Sequence, residues 1–207
     1  MFKIETSSGL QTIITPSFHF RFHWMGDHWK QEILPVGGCQ AIPKVWSVEG
    51  HVSHDGPSRP ASPAFGRLRI EEDAADVVVA HLDGQSGPHH YSGTFRFEER
   101  ADEVVIDVEV LDRCAEADQP PMATYLIESS DGHLHHDGAA TITWLNPETR
   151  LVFEAGPAAR VEADAAGMGT IRLKALAEPD PSAEVQALRY RWRWITVPGR
   201  QIWDRDV

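Results

Sequence analysis

The sequence predicts an all-β fold, an antiparallel meander of roughly ten to fourteen strands closed as a β-sandwich or a flattened β-barrel, with little helix. Three observations predict it. Apolar and polar residues alternate with a period of two along much of the 207-residue chain, which places alternate side chains on opposite faces of a strand. Turn-forming residues interrupt this alternation at short intervals, and short links join antiparallel neighbours. No segment keeps a helical period over about ten residues.

The first strands are the most clearly patterned. Residues 7–9, Ser-Ser-Gly, separate two apolar stretches and predict an opening hairpin. Residues 18–24 read Phe-His-Phe-Arg-Phe-His-Trp, so the aromatic side chains share one face and His19, Arg21 and His23 share the other. These three are candidate ligand-binding residues for an anionic group or a sugar. The alternative is a solvated outer face with cross-strand ion pairs.

Residues 35–63 are predicted to form an irregular Pro/Gly-rich loop inside a single domain that spans residues 1–207. Two adjacent glycines and a run of prolines break the alternation, because proline fixes its own backbone and restricts the residue before it. Within the segment, only residues 44–48 predict a short strand. Long loops inside domains are uncommon unless they serve a function, so this segment is also a candidate docking arm for a protein partner.

The remaining predicted strands follow one another from residue 67 to residue 197. Residues 146–149 suit a type I turn, because proline presets the first central dihedral angle. Residues 165–167 suit a turn in which glycine takes a positive φ.

The last long strand of this meander places three arginines, Arg189, Arg191 and Arg193, on one face. Guanidinium groups bind carboxylates and phosphates through paired hydrogen bonds, so these arginines are candidate ligand-binding residues. Asp107 and Glu109, on the polar face of another predicted strand, are the alternative partners.

Residues 131–138, Asp-Gly-His-Leu-His-His-Asp-Gly, are the candidate metal site. On extended backbone His133 and His135 point the same way, and two imidazoles can hold a zinc or iron ion. Such a pair resembles that of the cupin family, in which a glutamate and a distant histidine complete the site. The candidate ligands are His133, His135 and His136, joined by histidines from residues 81–90. No glutamate follows within the ten positions after Asp137, and the alternative is a polar hairpin loop built on Asp-Gly turns.

The seven tryptophans are a high number for this length. Four lie in alternating strands and are predicted to pack in the core: Trp24, Trp144, Trp192 and Trp194. The other three, Trp29, Trp46 and Trp203, fall in less regular segments, where an exposed indole can stack on a flat ligand. Trp29 is therefore a candidate ligand-binding residue, with packing at the edge of the core as the alternative.

The composition limits the partners. The net charge of −12 makes the protein acidic, which disfavours nucleic acid and anionic membrane surfaces. No apolar run approaches the roughly 18 residues of a membrane span, and the first residues do not resemble a signal peptide. Cys39 and Cys114 lie far apart without a Cys-x-x-Cys spacing and are expected to be reduced. These features predict a soluble, cytoplasmic protein.

The sequence contains none of the common nucleotide-binding, hydrolase or zinc-protease motifs. We therefore expect a β-scaffold binding protein for a small polar or anionic ligand, with carbohydrate as one class. Two alternatives stay open. One is a metal-dependent enzyme that uses a histidine cluster to polarise its substrate or to activate water, and the other is a structural subunit that acts through a protein partner.

Overall fold

Eighteen β-strands occur in the part of the chain that the computed structural model describes, which is residues 2–36, 44–52, 59–114, 120–128, 133–145, 149–167 and 169–196. The first nine are β1 (Lys3–Ser7), β2 (Leu10–Ile14), β3 (Phe18–Trp24), β4 (Trp29–Pro35), β5 (Lys44–Ser47), β6 (Gly50–Val52), β7 (Arg59–Ser62), β8 (Phe65–Ala74) and β9 (Val77–Ser86). The other nine are β10 (His89–Glu99), β11 (Glu103–Cys114), β12 (Met122–Glu128), β13 (His133–Asp137), β14 (Thr141–Leu145), β15 (Thr149–Ala155), β16 (Ala159–Gly167), β17 (Thr170–Ala177) and β18 (Gln186–Thr196).

The strands form two eight-stranded sheets and one small hairpin. The first sheet has the order β1-β2-β3-β4-β5-β12-β17-β16, and the second has the order β13-β14-β15-β18-β11-β10-β9-β8. Every pairing between the described strands is antiparallel. The two sheets pack face to face, so the all-β prediction is confirmed, and of the two predicted closures the sandwich is the one observed.

The strand number is higher than the predicted ten to fourteen. The four additional strands are β4, β6, β7 and β13. β4 escapes the period-two pattern because its inward-facing Gln31 is polar and yet buried. β6 and β7 form a two-stranded hairpin within residues 35–63, the segment that was predicted to be irregular. The short strand predicted there at residues 44–48 corresponds to β5. Residues 37–43 and 53–58 of that segment, which include Cys39, lie outside the described residues, as do residues 146–148 of the turn predicted at 146–149.

The core lies between the sheets and is rich in aromatic side chains. Phe18, Phe20 and Phe22 of β3 point inward and are at most 1 % exposed, as their alternation predicts. Phe20 meets Phe97 of the second sheet edge-on, with ring centroids 5.0 Å apart. Burying one such side chain contributes about 1.5–3 kcal/mol. Contacts of this kind fix how the sheets lie on each other and therefore where their edges meet.

One hydrogen-bonded chain crosses the core from sheet to sheet. The Tyr125 hydroxyl on β12 donates to Gln31 Oε1 on β4 at 2.7 Å, and it lies 2.6 Å from the Tyr190 hydroxyl on β18. Because Tyr125 uses its single proton on Gln31, the Tyr190 hydroxyl donates to the Tyr125 oxygen. Burial raises the pKa of both phenols well above the ordinary value, so both stay protonated.

The β6–β7 hairpin packs against β12 of the first sheet. Ser62 of β7 accepts a hydrogen bond from the Thr124 backbone N–H at 2.8 Å, and Thr124 Oγ1 donates to the Ala61 carbonyl at 2.6 Å. Both polar side chains are buried and satisfied in this way. In the part of the chain that the structure covers, no helix is long and apolar enough to cross a membrane.

Candidate functional site

A groove of about 710 Å³ opens at one edge of the sandwich. Its volume falls within the roughly 300–1,000 Å³ typical of small-molecule sites. One wall comes from the tip of the β3–β4 hairpin of the first sheet, and the other comes from β8 and β9, at the edge of the second sheet. We call it the Trp24–Trp29 groove. Gly66 of β8 lies close to the turn between β3 and β4, which narrows the groove at that point.

The aromatic wall is a pair of tryptophans fixed by the hairpin. Trp24 and Trp29 are the last cross-strand pair of the β3–β4 ladder, and their ring centroids lie 5.3 Å apart at 57°. The turn between them is closed by a 2.8 Å hydrogen bond from Met25 N–H to the His28 carbonyl. Gly26 takes φ +106° in this turn, a conformation that L side chains rarely adopt. The two indoles are thus held side by side and stay partly exposed.

The opposite wall carries charged side chains on neighbouring strands. Arg67 lies opposite Asp83 in the β8–β9 register, and Arg69 lies opposite His81. Alternation places all four on the same face of this hairpin. Leu68, which lies between the two arginines, packs against the core and adds an apolar surface to the groove.

Glu71 balances part of this charge. Its carboxylate lies 3.6 Å from Arg69 and 3.2 Å from the His81 ring. Among the described residues, Arg67 has no ion-pair partner, although Asp83 faces it across the ladder. The groove therefore combines two flat apolar rings with two guanidinium groups, one imidazole and one carboxylate. Such a set can stack on a ring and can both donate and accept hydrogen bonds at its edge.

Of the ligand-binding residues predicted from the sequence, Trp29 lines this groove and the polar face of β3 does not. His19, Arg21 and His23 lie on the outer side of the first sheet, as their alternation predicts. Arg21 faces Glu32 in the register, yet Glu32 pairs with Lys44 at 2.9 Å. The Nε atom of Arg21 is buried and has no hydrogen-bond partner among the described residues.

The three predicted arginines of β18 form a ladder of ion pairs. Arg189 pairs with Glu109 at 2.6 Å, and Arg191 pairs with Asp107 at 2.6 Å. Arg193 contacts both Glu103, at 2.8 Å, and Glu154, at 3.2 Å. Asp107 and Glu109 were the alternative partners expected from the sequence. Arg189 and Arg191 also line a second groove of about 440 Å³ on the outer side of the second sheet, but their charges are already paired there.

The histidines considered for a metal site lie on separate parts of the second sheet. Residues 133–137 form the edge strand β13 rather than a loop, because an edge strand pairs on one side only and tolerates polar residues. Four strands separate β13 from β10, which carries His89 and His90. At an inter-strand spacing of about 4.8 Å, the two groups are about 24 Å apart. They therefore cannot hold one ion together, which corrects the expectation of a shared cluster.

Within β13 itself, the described residues offer no completed metal site. His135 is exposed and lies opposite Thr143 of β14, whereas the side chains of His133 and His136 are outside the described part. Across the residues that the structure describes, no group of three His, Cys, Asp or Glu side chains is arranged to hold a metal ion.

Comparison with protein-family models gives no match, and comparison with curated proteins gives no significant match. The chemistry of the groove is therefore the basis for a functional proposal.

Most of the groove is not predicted by the sequence. The alternating pattern predicts that Trp24 lies in the core, and it assigns no site role to Arg67, Arg69 or Asp83. A usable signal was present for the aromatic wall, because Trp24 and Trp29 flank a four-residue turn and are thus expected to pair across a hairpin. No comparable signal joins β8 to the β3–β4 turn, since that contact arises from the packing of one sheet on the other.

Proposed function

We propose that the protein is a cytoplasmic binding protein for a small polar ligand, and that the Trp24–Trp29 groove holds a carbohydrate. The observation that carries the proposal is the pairing of two partly exposed indoles with charged side chains on the facing strands. The apolar face of a sugar ring packs against an indole, while its hydroxyl groups take hydrogen bonds from the polar wall. The net charge of −12 supports a small ligand over a nucleic acid.

The charges in the groove favour an acidic sugar over a neutral one. The formal charges of Arg67 and Arg69 are balanced by Asp83 and Glu71, but among the described residues Arg67 forms no ion pair, so its guanidinium group is available to a ligand. A guanidinium group binds a carboxylate through two parallel hydrogen bonds. A hexuronate can therefore pair its carboxylate with Arg67 while its ring stacks on Trp29. The same pairing is not available to a neutral hexose.

The test is a ligand panel of glucose, galactose, glucuronate and galacturonate, with oligosaccharides of each. Tryptophan fluorescence reports binding because both indoles are in the groove, and isothermal titration calorimetry confirms it. We expect saturable binding of at least one acidic sugar, with weaker binding of its neutral counterpart. A flat response to the whole panel at millimolar concentration would overturn the proposal.

Two matched pairs of variants locate the site. Trp29→Ala is expected to weaken binding at least tenfold, whereas Trp46→Ala, which removes an indole that lies beside Lys44 on the first sheet, leaves it unchanged. Arg67→Ala is expected to lower the affinity for the acidic sugar more than the affinity for the neutral one. Its control is Arg160→Ala, which removes an exposed arginine paired with Glu162 on β16. If a groove variant and its control changed the affinity equally, the ligand would bind outside the Trp24–Trp29 groove.

A further inference from the structure

At one end of β10 and β11, three inward-facing side chains form a connected row. His89 lies directly opposite Cys114 in the register, and Asp112 precedes Cys114 by two residues on the same face. His89 Nδ1 lies 2.7 Å from Asp112 Oδ2, and His89 Nε2 lies 4.0 Å from Cys114 Sγ. None of the three lines the Trp24–Trp29 groove.

The environment fixes the imidazole of this row. His89 is 4 % exposed and Asp112 is fully buried, and the ring of Tyr91 stacks on His89 at 5.6 Å with an angle of 7°. Burial raises the pKa of Asp112, and the hydrogen bond from His89 opposes that rise by stabilising the carboxylate. When the carboxylate accepts the Nδ1 proton, the lone pair of Nε2 faces the sulfur. Asp112 thus sets the tautomer of His89, and His89 faces the thiol as a base.

We propose that Cys114 is a nucleophilic thiol activated by His89, with Asp112 as the positioning residue, and that its substrate is a hydroperoxide. A nucleophile, a base and a group that orients the base are the three parts that this chemistry requires. Cys114 is only partly buried, whereas its two partners are buried. Attack on a peroxide needs a thiolate and a proton for the leaving oxygen, and this row supplies both.

The Cys114 thiol gives its proton to His89 Nε2, and the thiolate attacks the terminal oxygen of the peroxide. The S–O bond forms as the O–O bond breaks, and the leaving oxygen takes the proton from His89. Sulfur is oxidised by two electrons to a sulfenic acid, and the peroxide is reduced to water or an alcohol.

Among the described residues, the titratable groups next to the sulfur are His89, Asp112 and Tyr91 on the inner face, with His90 and Arg113 on the adjoining outer positions. Burial, followed by the nearby Asp112 and Cys114 charges, raises the pKa of Tyr91, so its phenol stays protonated and does not compete as a base. The pH at which the thiol becomes reactive therefore reports the pairing with His89.

The experiment measures two rates on the full chain, with Cys39→Ser as the background. Iodoacetamide alkylation of Cys114 is followed from pH 5 to 10 by mass spectrometry, and reaction with hydrogen peroxide is followed by trapping the sulfenic acid with dimedone. We expect alkylation with a midpoint below about 8.5, the ordinary cysteine value. We also expect the peroxide reaction to be at least ten times faster than that of glutathione. His89→Gln should slow both reactions at least tenfold, and His90→Gln, which changes the neighbouring exposed histidine, should change neither.

An alkylation midpoint at or above about 8.5 in the protein with Cys114 and His89 unchanged would show that His89 does not activate the thiol. This measurement does not depend on whether the His89→Gln variant folds. A depressed midpoint with a peroxide rate no faster than that of glutathione would overturn the choice of substrate. Either outcome is independent of sugar binding, because it concerns residues outside the groove.

Discussion

Removing the Tyr125 hydroxyl tests the order of donors and acceptors in the buried hydrogen-bonded chain, in which Tyr190 donates to Tyr125 and Tyr125 donates to Gln31. Tyr125, Tyr190 and Gln31 are each 3 % exposed. In Tyr125→Phe the ring keeps its edge-on contacts with Phe153 and Trp192. The change nevertheless leaves the buried Tyr190 O–H donor and the buried Gln31 Oε1 acceptor without their partners.

Each buried polar group that loses its partner costs about 1–3 kcal/mol. We therefore expect Tyr125→Phe to lower the free energy of unfolding by about 2–6 kcal/mol. Tyr190→Phe removes only the terminal donor, and Tyr125 still donates to Gln31, so its expected cost is about 1 kcal/mol. A domain is stable by about 5–15 kcal/mol in total, which makes the difference between the two variants easy to measure.

The double variant gives the sharper result. Tyr125→Phe with Tyr190→Phe also removes the Tyr190 O–H that Tyr125→Phe leaves without an acceptor, so the double variant should be more stable than Tyr125→Phe alone. Urea unfolding of all four proteins, monitored by circular dichroism with the m-value compared between them, gives the free energies. If the double variant is less stable than Tyr125→Phe, or if the two single variants are equally destabilised, the inferred direction of the chain is wrong.

Two further predictions concern stability. Burial raises the pKa of Glu49 above the 4.5 of an exposed glutamate, so ionising Glu49 lowers the stability of the folded protein as pH rises above 4.5. In urea unfolding, the free energy of unfolding of Glu49→Gln should equal that of the wild-type protein at pH 3.5 and be higher at pH 7. A variant that is less stable than the wild-type protein at pH 7 would contradict this. Gly84→Ala should cost about 3 kcal/mol or more, because its Cβ would lie 1.9 Å from the Ala64 carbonyl oxygen. Gly66→Ala, whose Cβ would meet nothing closer than 3.8 Å, is the control, and thermal unfolding of both variants that shows equal shifts would refute the steric argument.

Local pattern predicted the faces of the strands well. In β3 the alternation of aromatic and polar residues placed Phe20 in the core and His23 in solvent, as observed. This works because successive side chains in a strand point to opposite faces whatever the rest of the fold does. It fails where a polar residue faces inward, as Gln31 does, because its partner Tyr125 is 94 residues away in sequence and no local pattern reports it.

The candidate site was less predictable for the same reason. Trp29 is a candidate ligand-binding residue in the sequence because its flanks look irregular, although it lies at the start of β4. Arg67 and Asp83 became part of a groove only when the edge of one sheet met the hairpin tip of the other. In the row of Cys114, His89 and Asp112, each residue is ordinary in sequence. The register of β10 on β11 creates the geometry.

The pairing of β5 with β12, two strands that are far apart in sequence, affects how the chain folds during its synthesis. β1 to β5 are translated early, whereas β12, the next strand of their sheet, begins at Met122. The backbone of Trp46 therefore cannot pair with that of Leu126, its partner 80 positions later, until β12 has been synthesised. During that interval a nascent chain presents the backbone of β5 as an open edge, which can pair with a second nascent chain. Ribosome-bound or truncated chains that stop before β12 are therefore exposed to aggregation through this edge.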